Sequence, residues 1–238
     1  SVPNPDHGSG HGDVVGRRGD AMILANLGCC GYGARPSLRL FAQKLTFTES
    51  GWQLRPTPAL IYCELRHCNA NQSIVRLPNG RLWAAYCLVG REGRLCVHAR
   101  YSDDDGHTWS RVHVIRPRND PDFRGMSVTR MCETDAGTWL LGSHEADWSY
   151  KPLLTRQYIL RSEDQGATWD LLPHPRHGGW FAECFNRMDE GRPINLGDGH
   201  VFLMTRTPEG HLWGAWSEDD GKTWTYPKPT SLIHPDAP

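Results

Sequence analysis

Three clusters of polar and aromatic residues contain the side chains that could perform chemistry in this sequence. Each combines histidine with amide, carboxylate, arginine or aromatic neighbours: Arg66, His67, Asn69 and Asn71; His144, Glu145, Asp147, Trp148 and Tyr150; and His174, His177 and Trp180. Histidine beside tyrosine can remove a proton next to a uronate carboxylate, because imidazole titrates near neutral pH. Histidine beside Glu or Asp can instead coordinate a metal ion. Taken singly, each histidine is interpreted as a structural or surface residue, and we predict neither a metal site nor a cofactor.

A repeated octapeptide indicates the scaffold that must hold these clusters. The pattern S-x-D-x-G-x-T-W occurs without exception at Ser102–Trp109, Ser162–Trp169 and Ser217–Trp224, and copies at such spacing mark a repeat architecture. In each copy, here called a box, the Asp can bind nearby backbone N–H groups and the Gly can take the positive φ of a tight turn. The boxes lack the further oxygen ligands and closing Glu of a calcium loop. We therefore interpret them as structural turns.

Each box follows a predicted hairpin and a third predicted strand. The hairpins pair Gln72–Leu77 with Leu82–Cys87, Ser127–Glu133 with Thr138–Ser143, and Ile194–Leu196 with Val201–Thr205. Their turns contain Asn-Gly, Asp-Ala-Gly or Asp-Gly, and Asn-Gly and Asp-Gly between apolar runs are strong hairpin signals. The third strands are Leu95–Tyr101, Tyr158–Arg161 and Leu212–Trp216. Four strands per unit predict the blade of a β-propeller.

The ends of the sequence are interpreted separately. Residues 1–20, rich in Pro, Gly and His, predict an irregular arm. Residues 21–60 predict a first blade, in which Glu49–Trp52 is a degenerate box.

The polar clusters fall mainly on loops at the end of the blades opposite the boxes. Loops held by a rigid scaffold are where binding and catalytic residues concentrate.

Composition excludes several classes of protein. The chain has 238 residues, 38% of them hydrophobic, and a net charge of −1. Near-neutral charge argues against a nucleic-acid partner, and no apolar run reaches membrane-spanning length. The eight cysteines show no zinc-type spacing. Cys87 and Cys96 could be bridged across a hairpin, although free thiols are the simpler interpretation. The compartment stays open, with an extracellular or periplasmic location preferred to the cytoplasm.

The three boxes resemble the Asp-boxes of sialidases and other β-propellers with BNR repeats. The resemblance implies an all-β fold, a β-propeller of four-stranded antiparallel blades with about four blades visible. Relatives with such boxes usually form rings of six or seven blades. We therefore expect a propeller domain over 21–238 that is truncated at its C-terminus, with the remaining blades or a partner chain closing the ring.

The same resemblance suggests catalytic residues. Many sialidases carry a Glu just before the inner strand of one blade and an Arg at the end of its second strand. Phe181–Glu183 with Leu196–Arg206 is similar to this pattern, with residues 186–193 as an apparent insertion. This similarity implies that Glu183 polarises a tyrosine nucleophile and that Arg206 grips a substrate carboxylate. The Arg expected before an earlier inner strand is missing, and Arg66 could substitute for it. The acid/base Asp expected on the following loop is missing too.

The expected function is hydrolysis of a terminal acidic sugar from a glycan. The catalytic candidate is Glu183. The substrate-binding candidates are Arg206, Arg66, His67, Asn71, His144, Glu145, His177 and Trp180. A propeller-type polysaccharide lyase or another glycosidase is the alternative among enzymes. A propeller that binds glycan or protein without catalysis is the alternative outside them.

Overall fold

β-Strands make up almost all of the regular structure in this computed structural model. It describes residues 9–17, 19–27, 38–57, 59–64, 68–89, 95–125, 127–147, 149–151, 153–182 and 187–234. In these residues the other regular element is a one-turn 3-10 helix, Pro175–His177. No helix in the described ranges has the length and apolar character to cross a membrane. The prediction of an all-β fold is confirmed.

The first sheet contains a strand that the sequence did not predict. Its strands are β1 (Ser9–Arg17), β2 (Asp20–Leu27), β3 (Leu38–Thr48), β4 (Gly51–Leu54) and β5 (Ala59–Glu64). They lie in the order β1-β2-β3-β4, and β5 also pairs with β3. The expectation of an irregular arm over residues 1–20 is therefore corrected for β1. The Gly and His residues of β1 are not typical of a strand, so the sequence does not predict it. Its backbone nevertheless pairs in antiparallel fashion with β2.

Three further sheets each contain four antiparallel strands in chain order. The second contains β6 (Cys68–Arg76), β7 (Leu82–Val89), β8 (Leu95–Ser102) and β9 (His113–Ile115). The third contains β10 (Ser127–Glu133), β11 (Trp139–Asp147), β12 (Leu154–Ser162) and β13 (Asp170–Leu172). The fourth contains β14 (Asp189–Gly197), β15 (His200–Arg206), β16 (His211–Ser217) and β17 (Lys228–Ile233). These sheets confirm the four-stranded propeller blade.

The chain divides into two compact units. The first extends to Val114 and holds the first two sheets except for the last residue of β9, and the second begins at Ile115 and holds the other two. In the second unit, the third and fourth sheets enclose a core that includes Leu140, Ile159, Val201 and Leu203. In the first unit, Cys87 is fully buried. The side chain of Cys96 lies outside the described residues, so the possible disulfide between the two stays a prediction.

The boxes are hydrogen-bonded turns, as their residue types predict. In the second box, Asp164 Oδ1 accepts hydrogen bonds from the Ser162 hydroxyl and the Thr168 N–H, each at 2.8 Å. The Thr168 hydroxyl donates to the other carboxylate oxygen at 2.6 Å, and the Trp169 indole N–H donates to the Gly166 carbonyl at 3.0 Å. Gly166 takes a φ of +85°, which glycine adopts without a steric penalty. Local side-chain chemistry is therefore sufficient to specify these turns.

The third box also packs against the sheet that precedes it. A Cβ atom on Gly221 would lie 2.8 Å from both Cδ atoms of Leu140 in β11, closer than carbon atoms normally approach. The Thr138 hydroxyl donates a hydrogen bond to the Asp220 carboxylate at 2.5 Å, and Arg161 Nε donates to the Asp220 carbonyl at 3.2 Å. The box of the fourth sheet is therefore part of its interface with the third sheet.

Candidate functional site

A buried carboxylate at the start of β14 holds two arginine side chains. Asp189 pairs with Arg206 across the β14–β15 hairpin, and its side chain is 2% exposed. Arg206 Nε donates to Asp189 Oδ1 at 2.9 Å, and Arg187 Nε donates to Asp189 Oδ2 at 2.8 Å. Arg206 Nη1 lies 3.2 Å from Glu190 Oε2. Arg187, Asp189, Glu190 and Arg206 are called the Arg206 cluster.

The backbone of β14 is irregular where it forms this cluster. The strand register shifts between Asp189 and Arg192, and Glu190 has a φ of +54°, which is uncommon for a residue other than glycine. Gly191 follows, and its N–H donates to Gln157 Oε1 at 2.7 Å. A Cβ atom on Gly191 would lie 2.5 Å from the Gln157 amide carbon. Glycine is therefore required for β14 to pack this closely against β12.

Two residues of the third sheet contact the Arg206 cluster. Thr155 in β12 donates from its hydroxyl to Asp189 Oδ2 at 3.3 Å and accepts from the Met188 N–H at 3.0 Å. His144 in β11 is 3% exposed, and its Nδ1 accepts a hydrogen bond from the Glu190 N–H at 3.4 Å. Contacts between sheets therefore hold the start of β14 in place.

Burial and charge shift the pKa values of the two central groups. Burial lowers the pKa of His144 to about 4, an effect that Asp189 opposes and the two arginines reinforce. Burial acts to raise the pKa of Asp189, but the charge that His144 carries once it is protonated in acid, together with the guanidiniums of Arg187 and Arg206, outweighs it, so this pKa lies below its ordinary value. At neutral pH, His144 is therefore an uncharged hydrogen-bond acceptor beside an ionised carboxylate.

The structure describes some of the residues that the sequence predicted as site residues. Arg206 and His144 come together at the Arg206 cluster. Asn71 lies in β6 of the first unit, and His177 is exposed at the end of the one-turn helix. Glu183, Arg66 and His67 lie outside the described residues.

Trp180 is buried in a core, and Glu145 lies on the face of the third sheet opposite to His144. Trp180 is 3% exposed and belongs to the core between the third and fourth sheets, so its predicted contact with substrate is corrected to a packing role. Glu145 follows His144 in β11 and lies on the opposite face of the sheet, because successive strand residues alternate. There the Tyr158 hydroxyl donates a hydrogen bond to Glu145, and burial raises the pKa of both groups.

Sequence reasoning missed three members of the Arg206 cluster. Arg187, Asp189 and Glu190 fall within the segment, residues 186–193, that the sialidase pattern presents as an insertion. Counting outward from the Asp198-Gly199 turn places Glu190 or a neighbour opposite Arg206, and this is the signal that could have found them. Within the described part of the chain, no three His, Cys, Asp or Glu residues are arranged to hold a metal ion.

Solved structures with similar folds include sialidases. A protein of unknown function from Dyadobacter fermentans superposes with a TM-score of 0.72 at 17% identity, covering 98% of this chain and 72% of that one. The Hadza microbial sialidase Hz136 gives a TM-score of 0.65 at 16% identity, covering 90% of this chain and 45% of that one. The NanB sialidase of Streptococcus pneumoniae gives 0.66 at 9% identity, with coverage of 94% and 52%. The chain therefore spans about half the length of these two sialidases. At identities this low, the similarity is one of fold alone.

Sequence comparison identifies the family directly. A search of curated proteins finds no match. A family model described as a BNR repeat-like domain matches residues 62–238, which include all three boxes and the second, third and fourth sheets. The resemblance inferred from the boxes is thereby confirmed, and the chain belongs to the BNR repeat-like family.

Proposed function

We propose that this chain binds an acidic sugar at the Arg206 cluster and belongs to an enzyme that hydrolyses such a sugar from the end of a glycan. The observation that carries the proposal is the buried Asp189, which fixes the Arg206 guanidinium through Nε. Among the described residues no hydrogen bond occupies Nη2 of Arg206, so that edge can face a ligand. A fixed guanidinium suits a carboxylate, because its planar donors match two oxygens at once.

We propose Glu190 as the catalytic carboxylate in place of Glu183. The sialidase pattern needs a Glu at the start of an inner strand and close to the Arg that ends the next strand. Glu190 lies in β14, and its carboxylate is 3.2 Å from Arg206. Its side chain is 38% exposed, which leaves it accessible to substrate. In that place it would act as the base that activates a nucleophile.

Arg206→Lys and Glu190→Gln test the two roles separately. Arg206→Lys should weaken binding of sialosides or oligouronates about tenfold to a hundredfold, because the charge remains but the bidentate fork is lost. Glu190→Gln should leave binding nearly unchanged and lower turnover by about a hundredfold or more, because a base acts in the transition state. Calorimetry measures the first effect, and product release from the same glycans measures the second.

Arg192→Lys is the matched control, since Arg192 is an exposed arginine in β14, the strand that also holds Glu190. It should behave as the wild type in both assays. Wild-type behaviour of Arg206→Lys on every acidic glycan that the chain binds would refute the assignment. Loss of turnover in Glu183→Gln, with normal turnover in Glu190→Gln, would return the catalytic role to Glu183.

Binding without catalysis is the second candidate function. The sequence lacks the Arg and the acid/base Asp that a sialidase carries near its earlier inner strands, and this favours a binding propeller. Binding of acidic glycans with no turnover in any variant would support it. The lyase alternative needs an accessible histidine, and the burial of His144 makes that residue a poor candidate. For a glycan substrate we propose an extracellular or periplasmic location, which cell fractionation tests.

An apolar face of the fourth sheet is proposed to pack against a further blade. Ile194, Phe202 and Trp216 are aligned across β14, β15 and β16, with Ile194 40% and Trp216 49% exposed. The corresponding face of the third sheet, which includes Leu140, is buried by the fourth sheet. The occupant would be a further four-stranded blade, because exposed apolar sheet faces promote association.

Trp216→Lys tests this blade interface. The 238-residue chain should self-associate in a concentration-dependent manner, and the substitution should reduce that association by placing a charge on the apolar face. Size-exclusion chromatography with light scattering measures the effect. Val114→Lys is the control, because Val114 is comparably exposed but lies in β9 of the second sheet. A wild-type chain that stays monomeric at high concentration would contradict the proposal.

A further inference from the structure

A short segment pairs with β12 of the third sheet, just before the residues of β12 that pair with the edge strand β13. The backbone of Trp180 exchanges two hydrogen bonds with that of Gln157, at 2.8 and 3.0 Å. This pairing brings the next residue, Phe181, beside Arg156. The Arg156 guanidinium carbon lies 3.7 Å from the centroid of the Phe181 ring, which is a cation–π contact.

Two exposed tyrosines complete a surface around this contact. The Tyr226 hydroxyl donates a hydrogen bond to the Phe181 carbonyl at 2.8 Å. Tyr226 is 45% exposed, and Tyr150, in the segment between β11 and β12, is 51% exposed. Burial lowers the pKa of the Arg156 guanidinium, and Tyr158, Tyr226 and Tyr150 act against this shift. Arg156, Phe181, Tyr226 and Tyr150 are called the Arg156 patch.

Glycine allows the chain to close beneath this patch. Gly179 has a φ of +76°, and a Cβ atom there would lie 2.9 Å from Arg156 Cβ and 2.8 Å from Tyr158 Cζ. Any other residue would meet both a strained backbone and a steric clash. The backbone at Gly179 thus helps to fix Arg156 in a defined position on the surface.

The Arg156 patch is distinct from the Arg206 cluster. Adjacent residues of a strand point to opposite faces of its sheet. Thr155 contacts Asp189 of the Arg206 cluster, so Arg156, the next residue in β12, lies on the other face. The two arginines therefore serve two separate surfaces of the second unit.

We propose that the Arg156 patch is a second glycan-binding site, specific for a sugar that carries a carboxylate. Tyrosine rings present flat apolar faces that can stack on the C–H face of a pyranose, and their hydroxyls can bind sugar hydroxyls. The Arg156 guanidinium supplies donors for the carboxylate. The choice of an acidic glycan rests on the function proposed above, whereas the position of the site rests on the contacts of the Arg156 patch alone.

Binding stoichiometry tests the second site. Oligosialic acid and oligogalacturonate are titrated into the complete chain by calorimetry, and the wild type should bind two molecules of one of them. Arg156→Gln and Tyr150→Ala should each weaken one of the two binding events about tenfold or more. Both should leave the other binding event, at the Arg206 cluster, and any turnover unchanged. Arg206→Lys should affect only the binding event at the Arg206 cluster.

A matched control and three outcomes decide the result. Tyr101→Ala removes another ring that lies under an arginine, Arg81, and should change neither binding event. A single binding event that Arg156→Gln leaves intact would overturn the second site while the Arg206 proposal stands. A single event lost in Arg156→Gln and unaffected by Arg206→Lys would overturn the proposed function and show the Arg156 patch to be the main site. Absence of binding to either glycan would overturn both.

Discussion

Asp189→Ala is expected to lower the free energy of unfolding by about 3–5 kcal/mol, more than any other single substitution proposed for this chain. The carboxylate is 2% exposed and accepts hydrogen bonds from Arg187, Arg206 and Thr155. Its removal would leave two partly buried guanidiniums without the charge that holds them. Urea unfolding followed by tryptophan fluorescence measures the loss, and the sheet contacts around Thr155 should loosen as well.

Asp170→Ala provides the comparison for this measurement. Asp170 also binds an arginine, with Arg118 Nε at 3.0 Å from its carboxylate, but the Arg118 side chain is 63% exposed. Water and salt screen such a surface pair, so its loss should have a small effect. Equal losses in the two variants would show that burial of Asp189 adds nothing to the strength of its contacts.

The free energy of unfolding should fall by about 3 kcal/mol as the pH is lowered from about 6.5 to 4. Burial lowers the pKa of His144 to about 4 in the folded chain, whereas an unfolded histidine has a pKa of about 6.5. In this interval the unfolded chain takes up a proton that the folded chain does not, so acid favours unfolding. The depressed pKa of Asp189 acts in the same direction at lower pH, because its stabilising charge is present above about 3.9 and is lost on protonation.

His144→Gln isolates the histidine contribution to this pH dependence. The variant should show a flatter stability profile between pH 4 and 6.5, measured by urea unfolding at a series of pH values. His177→Gln should keep the wild-type profile, because His177 is exposed at the surface of the same unit. A His144→Gln profile as steep as that of the wild type would assign the effect to other groups.

The sequence predicts the blades because their turns are determined locally. In the second box, Asp164 binds Ser162 and Thr168, residues only a few positions away. The same holds for the Asn-Gly and Asp-Gly hairpin turns, so the strand that follows each turn can be located as well. The β-propeller prediction therefore rests on interactions that a short stretch of sequence contains.

The candidate site is less predictable because it depends on distant contacts. Asp189 is buried by Thr155 and His144, which belong to another sheet, and no pattern near Asp189 announces those partners. The irregular backbone at Glu190 and Gly191 shifts the strand register, so the segment resembles an insertion. The assignment of Trp180 to substrate is wrong for a similar reason, since sequence alone does not show whether an indole faces solvent or a core.

The contact between the third box and the preceding sheet has a consequence for cooperativity. Gly221 and Asp220 complete the turn of the fourth sheet while packing on Leu140 and Thr138 of the third. Each of these two sheets buries residues of the other. The smallest cooperative element of the second unit is therefore the pair of neighbouring sheets. In repeat proteins such nearest-neighbour coupling transmits a local weakness step by step along the array. A cut that separates these two sheets would therefore expose Leu140. The same cut would remove the contacts that hold the third box in place.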